Sequence, residues 1–115
     1  MPVTIWHNPR CSKSRQTLKL LEEQGVDPDI RLYLKDAPSA DEIRAALKQL
    51  GQPVRALLRS KEPALREHFP DPDAASDEQL INAMAEEPVL IERPLVLTEK
   101  GAALGRPPEQ VLSVL

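Results

Sequence analysis

The sequence predicts an α/β domain with a mixed four-stranded sheet. Three observations predict it: a β-α-β opening, two capped helices in the middle of the chain, and a hairpin ahead of a last helix. Val3 to Trp6 is short, apolar and partly β-branched, and Asn8-Pro9 closes it, as a strand running into a turn. From Ser12 to Gln24, Thr17, Leu18 and Leu21 fall on one helical face, and Gly25 stands where a left-handed cap ends a helix. Asp29 to Leu34 then alternates, Ile30, Leu32 and Leu34 on one side and Arg31 and Tyr33 on the other, as a half-buried strand does. A helical crossover between these two strands makes them parallel.

In the middle, Ser39 and Glu42 have capping-box spacing ahead of an apolar face of Ile43, Ala46, Leu47 and Leu50, and Gly51 closes the segment. Ser76 and Gln79 repeat the device ahead of Leu80, Ala83 and Met84, and Pro88 ends that helix. Glu62 to Asp73, rich in proline and charge, reads as loop with at most one short turn. Val89 to Ile91, Leu95 to Thr98 and Ala102 to Leu104 read as short strands or strand edges, the last two joined through Glu99-Lys100-Gly101 as a hairpin. A final helix opens at Arg106-Pro107-Pro108 and carries Val111, Leu112 and Leu115. This order is that of a single thioredoxin-like domain over residues 1–115, with a helical insertion at about 39–88.

At 115 residues one domain is the default. A formal charge of −3 and only one Trp, one Tyr and one Phe give neither a basic field nor a stacking platform, so nucleic acid is not an expected partner. The most apolar run, Val89 to Leu97, is broken by Glu92 and Arg93, far short of the ~20 residues that span a bilayer. No membrane partner is expected. One cysteine allows no internal disulfide and suits a reducing compartment, so the expected location is the cytoplasm. His7 and His68 with that one cysteine have no ligand spacing, and no metal site is expected.

That cysteine, Cys11, falls where the first strand's turn enters the first helix. A lone cysteine is ordinarily a small buried hydrophobe, but a helix N-terminus favours the thiolate through its partial positive charge and free N–H groups. Arg10, Lys13 and Arg15 add positive charge nearby. Ser14 is placed to turn its hydroxyl toward the sulfur or toward backbone, and His7 to support the thiolate or orient its loop. A Cys-x5-Arg phosphatase loop would need arginine at Thr17, and a Cys-x-x-Cys redox pair would need cysteine at Ser14. Cys11 therefore works, if it works, as a single nucleophile whose reducing partner comes from outside.

Four blocks in order, HNPRCSKSR at 7–15, VRALLR at 54–59, IERPLVL at 91–97 and GRPPEQVL at 105–112, make the chain resemble the glutaredoxin-linked arsenate reductases almost end to end. The resemblance implies that Arg59, Arg93 and Arg106 hold an oxyanion. Arsenate is tetrahedral and multiply charged, and permanently charged, fork-shaped guanidinium groups suit it better than lysine. It also implies that the Cys11 sulfur attacks arsenic(V) and that glutathione displaces the adduct as arsenic(III). Glutaredoxin then resolves the mixed disulfide, with arsenite as product and no bound cofactor. The fold analogy implies a cis peptide bond before Pro94, beside Cys11. Two other readings remain open: a non-catalytic regulatory or binding module of the thioredoxin-like kind, and a glutathione-dependent monothiol oxidoreductase with another substrate.

Overall fold

The structure, a computed structural model, describes residues 2–115. Strand β1 spans Thr4–Trp6, helix α1 Ser12–Glu23 and strand β2 Asp29–Arg31. Helices α2 (Ala40–Leu50), α3 (Pro63–His68) and α4 (Asp77–Glu86) follow, with 3-10 turns at Val54–Ala56, Pro72–Ala74 and Pro88–Leu90. Strands β3 (Leu95–Thr98) and β4 (Gly101–Leu104) and a 3-10 segment, Pro108–Val114, complete the chain. The sheet order is β2-β1-β3-β4, with β1 parallel to β2 and antiparallel to β3, and β3 antiparallel to β4. This is the mixed thioredoxin-like sheet the sequence predicts.

The chain divides into two compact units. One runs to Asp36 and resumes over Arg93–Leu115, so it holds the whole sheet, α1 and the last 3-10 segment. Its core is Val3, Ile5, Leu21, Val96, Ala103, Val111 and Val114. Ile5, Val96 and Ala103 share one face of the sheet, which α1 and the last segment cover together with Val3, while Trp6, Leu95 and Ala102 are buried on the opposite face. Ile5 pairs with Val96, and Val96 with Ala103, which centres the core on the middle of the sheet.

The other unit is Ala37–Glu92. Both predicted capping boxes form: Ser39 accepts from the Glu42 N–H while Glu42 returns to the Ser39 N–H, and Ser76 and Gln79 do the same. Gly51 takes φ +68°, the left-handed geometry that ends α2 with little steric penalty. Helices α2 and α4 pack together through Ile43, Ala46, Leu47 and Leu50 and through Leu80, Ile81, Ala83 and Met84, all buried. Arg44 of α2 pairs with Asp41 and with Glu78 of α4.

Four expectations change. The 29–34 strand stops at Arg31, because the chain turns over Leu32–Asp36 through the Lys35 and Asp36 N–H bonds to the Leu32 carbonyl. Tyr33 is fully buried while Ile30, Leu32 and Leu34 are exposed. The predicted loop at 62–73 contains α3, whose Pro63 stands at a helix start, where its missing N–H costs nothing. In Val89–Ile91 the first two residues belong to the 3-10 turn Pro88–Leu90, which Pro88 favours, and only Ile91 pairs, in a single bridge to Leu58. The last helix is 3-10, so its buried positions, Pro108, Val111 and Val114, recur every three residues, and Leu112 points to solvent.

Candidate active site

Cys11 is the N-cap of α1, partly exposed, with extended backbone geometry. The turn that presents it is tied at several points. The Cys11 N–H donates to the Asn8 carbonyl at 3.0 Å, the Arg10 N–H to Asn8 Oδ1 at 3.0 Å, and Arg15 Nη1 to the Pro9 carbonyl at 2.8 Å. The asparagine thus closes the turn with both its backbone and its side chain, a standard use of Asx before a helix.

Burial alone would raise the Cys11 thiol pKa, but the Ser14 N–H, Arg93, the Lys13 N–H and Arg106 together outweigh it, and the net shift is downward. The backbone N–H groups belong to the first turn of α1, where they have no partner within the helix. Arg106 Nη1 lies 4.0 Å from Cys11 Sγ and also donates to the Arg93 carbonyl at 3.3 Å. The stabilising charges are therefore Arg93 and Arg106, from distant sequence. The nearby cations act otherwise: Lys13 contributes its N–H, and Arg15 braces the turn.

Ser14 is fully buried, and its hydroxyl is not directed at the sulfur. The Asn8 N–H donates to Ser14 Oγ at 3.0 Å, and Oγ lies 2.6 Å from His7 Nδ1. Burial, and then the charge of Arg15, lower the His7 pKa. His7 and Ser14 thus join the end of β1 to the first turn of α1, and Ser14 reaches the thiol through its backbone. The His7 N–H itself extends the β1–β2 pairing by donating to the Arg31 carbonyl at 2.9 Å.

Arg93–Pro94 is cis, and so is Arg106–Pro107, which the sequence reading did not anticipate although it repeats the same dipeptide. Gly105, which the sequence marks only as the first residue of the GRPPEQVL block, lies between α1 and the first proline. A Cβ there would stand 2.3 Å from Thr17 Oγ1 and 2.8 Å from Pro94 Cγ, so only glycine fits without a shift of helix or loop. Its N–H donates to the Pro94 carbonyl at 2.9 Å, and Thr17 Oγ1 approaches its carbonyl at 3.5 Å. Gly105 thereby sets where Arg106 begins. Its only sequence signal is a glycine directly before a predicted ligand.

Cys11, Arg93 and Arg106 belong to the sheet-bearing unit, and Arg59 to the other. There Arg59 follows the Leu58–Ile91 bridge, its N–H donating to the Leu90 carbonyl at 2.8 Å and its Nη2 lying 3.4 Å from Glu62 Oε2. Among the described residues no group of three or more His, Cys, Asp or Glu is placed to hold a metal, and no helix is long and apolar enough to cross a membrane.

Comparison with known proteins identifies the family. The profile of the ArsC family matches residues 6–114. The chain is 44% identical over 116 residues to an arsenate reductase of Haemophilus influenzae, with both chains fully covered. It is 48% identical over 114 residues to the uncharacterized protein YfgD of Escherichia coli strain K12, covering 98% of this chain and 96% of that one. An arsenate reductase structure from Vibrio cholerae superposes with a TM-score of 0.94 at 50% identity, covering 100% of this chain and 98% of the other. A match that runs from the end of β1 through the Cys11 turn and both Arg-Pro turns, joined to relatives 44% and 48% identical over nearly their whole lengths, makes this chain a member of the ArsC family.

Proposed function

We propose that the protein reduces arsenate to arsenite, with Cys11 as nucleophile and glutathione and glutaredoxin as the reducing partners. The observation that carries this reading is the thiol at the head of α1, shifted toward its anion and faced at 4.0 Å by the Arg106 guanidinium. Arginine beside a thiolate serves two ends: it favours the nucleophile and it binds the oxygens of an incoming oxyanion. Membership of a family whose relatives include proteins named arsenate reductase supports arsenate as that oxyanion. Arg59 enters the proposal on the sequence resemblance alone.

In the first step Cys11 Sγ attacks arsenic, an S–As bond forms and one oxygen leaves, protonated, as water. Arg93 and Arg106 offset the negative charge that gathers on the remaining oxygens. A glutathione thiolate then attacks Cys11 Sγ. The S–S bond forms and the S–As bond breaks with its electron pair on arsenic, so arsenic(V) becomes arsenic(III) while the two sulfurs are oxidised to a mixed disulfide. A glutaredoxin thiol takes the glutathione and returns the Cys11 thiolate. One cysteine cannot supply both electrons and regenerate itself, which is why an external thiol is required. A reducing cytoplasm suits that supply.

The test is turnover by purified protein with glutathione, glutaredoxin and an NADPH-linked recycling system, with and without arsenate. Arsenate-dependent NADPH oxidation is expected. With glutathione and arsenate but no glutaredoxin, intact-mass spectrometry is expected to find one glutathione on the wild type and none on Cys11→Ser. Arsenite formation by Cys11→Ser, or by the wild type without any thiol, overturns the mechanism. Turnover that ignores arsenate assigns the protein to thiol exchange on another substrate.

A further inference from the structure

We infer that the groove between the His7–Arg10 turn and the Leu32–Lys35 turn is the seat of the reducing thiol, and that it takes glutathione as a short anionic peptide. The inference rests on the external-thiol step of the proposed function and gives that step a place. The cavity measures about 280 Å³ and is walled by Asn8, Pro9 and Arg10 on one side and Leu32, Leu34 and Lys35 on the other, with His7 also lining it. Pro9 and Arg10 lead directly into Cys11, whose own N–H closes the same turn. A ligand in this groove therefore lies against the segment that presents the sulfur.

Two features favour such a ligand. The first is exposed apolar surface. The large exposed hydrophobic side chains among the described residues are Ile30, Leu32, Leu34 and Leu112, and three of the four fall within five residues beside this groove. Leu32 and Leu34, which line the groove, are 37% and 45% exposed and leave apolar area in water that a bound molecule would cover. The second is charge. Arg10 and Lys35 flank the apolar floor, and neither side chain has a carboxylate within ion-pair distance among the described residues. The acid nearest in sequence, Asp36, is taken by Arg31 at 3.5 Å.

Glutathione matches this arrangement. It carries two carboxylates, a net negative charge and its thiol on the central residue. With the carboxylates drawn to Arg10 and Lys35, the thiol-bearing middle lies over Pro9, Leu32 and Leu34. The turn that walls the groove runs on into Cys11, and when the bound thiol is delivered to Cys11 Sγ the S–S bond forms and the S–As bond yields its electron pair to arsenic. The concave shape favours a small peptide over a protein surface, which would need a broader contact.

S-methylglutathione, which binds without reacting, tests the site independently of arsenate. Titrated into the ¹⁵N-labelled protein, it is expected to shift the amides of Asn8, Arg10, Leu32, Leu34 and Lys35 saturably. Lys35→Glu is expected to weaken that binding about tenfold, by losing an attraction and adding a repulsion, and to raise the KM for glutathione by a similar factor. Leu34→Asp, a second surface change in the same groove, is expected to act in the same direction. Lys19→Glu, the same charge reversal on the exposed face of α1, is the control and is expected to change neither quantity. Saturable shifts elsewhere, no saturable shifts, or a Lys35→Glu protein with unaltered KM for glutathione would overturn the site while leaving arsenate reduction intact. Shifts in the groove produced by glutaredoxin and not by S-methylglutathione would overturn it in favour of protein docking. Shifts in the groove from S-methylglutathione in a protein that reduces no arsenate would support the site and overturn the proposed function.

Discussion

The start of α1 and the starts of α2 and α4 solve the same problem in opposite ways. Every helix begins with backbone N–H groups that lack partners and with a partial positive charge. At α2 and α4, Ser39 and Ser76 cap those groups, the capping boxes close reciprocally, and acids occupy the first turn: Asp41 and Glu42 in one, Asp77 and Glu78 in the other. At α1 the cap is Cys11, which makes no side-chain cap hydrogen bond, and no acid stands in the first turn. The N–H groups of Lys13 and Ser14 remain for the sulfur, and Arg93 and Arg106 add charge of the same sign. The difference teaches where this chain keeps electrostatic potential unspent. Two helix starts are neutralised for stability, and one is left positive for an anion.

The largest expected effect comes from removing the charge that sharpens this contrast. Arg106→Ala is expected to raise the Cys11 pKa and to lower kcat/KM for arsenate by about 10- to 100-fold, because one cation favours both the thiolate and the oxyanion. Iodoacetamide alkylation rates against pH read the first effect, and steady-state kinetics the second. An unchanged alkylation profile would mean that the backbone N–H groups of α1 suffice alone. A smaller effect is expected at the neutralised ends. Ser39→Ala and Ser76→Ala should each cost about 1 kcal/mol in urea unfolding, with no change in Cys11 alkylation. A matching loss in thiol reactivity would join these helix starts to the site and erase the distinction.

The contrast was readable in the sequence at the capped ends and only half readable at Cys11. A Ser-x-x-Glu or Ser-x-x-Gln spacing is a local device, complete within four residues, so Ser39–Glu42 and Ser76–Gln79 form as their spacing predicts. The turn around Cys11 is local too, and its place at the head of a helix follows from Asn8-Pro9. Its charge partners are not local. Counting nearby cations pointed to Arg10, Lys13 and Arg15, whereas the structure brings in Arg93 and Arg106 through the two Arg-Pro turns and turns Arg15 toward the Pro9 carbonyl. Only the family resemblance singled out those two arginines.

Elsewhere the misses have the same physical origin. Alternation over residues 29–34 gives a period but not a phase, and the phase was decided by the turn at Leu32. Tyr33 went inside, and the leucines stayed out to line the groove beside the active turn. Gly105 was invisible because its role is a close approach of Thr17 and Pro94, residues 88 and 11 positions away, rather than a positive φ.

The smallest expected effect is a pH dependence of stability in the range where a thiol titrates, which α1 has because its cap is a cysteine and not a serine. The folded Cys11 thiol loses its proton at lower pH than the unfolded one, whose value is near the ordinary ~8.5. Between the two values the unfolded chain binds more protons, so ionisation of Cys11 adds stability as pH rises through that window. The contribution is fully present above the unfolded value and is lost as pH falls through the folded one. His7 complicates the raw curve. Its pKa is also lowered in the fold, by burial and then by Arg15, so the unfolded chain takes up its proton first and stability again rises with pH, but below about 6.5. Cys11→Ala keeps His7 and removes the thiol, and it separates the two. The Tm of the wild type minus that of Cys11→Ala is expected to increase from pH about 6 to about 9. Lys13→Glu, which gives α1 the first-turn acid that α2 and α4 already have, is expected to flatten that increase by opposing the thiolate. A difference that stays constant with pH would mean that the head of α1 holds no more potential for an anion than the other two.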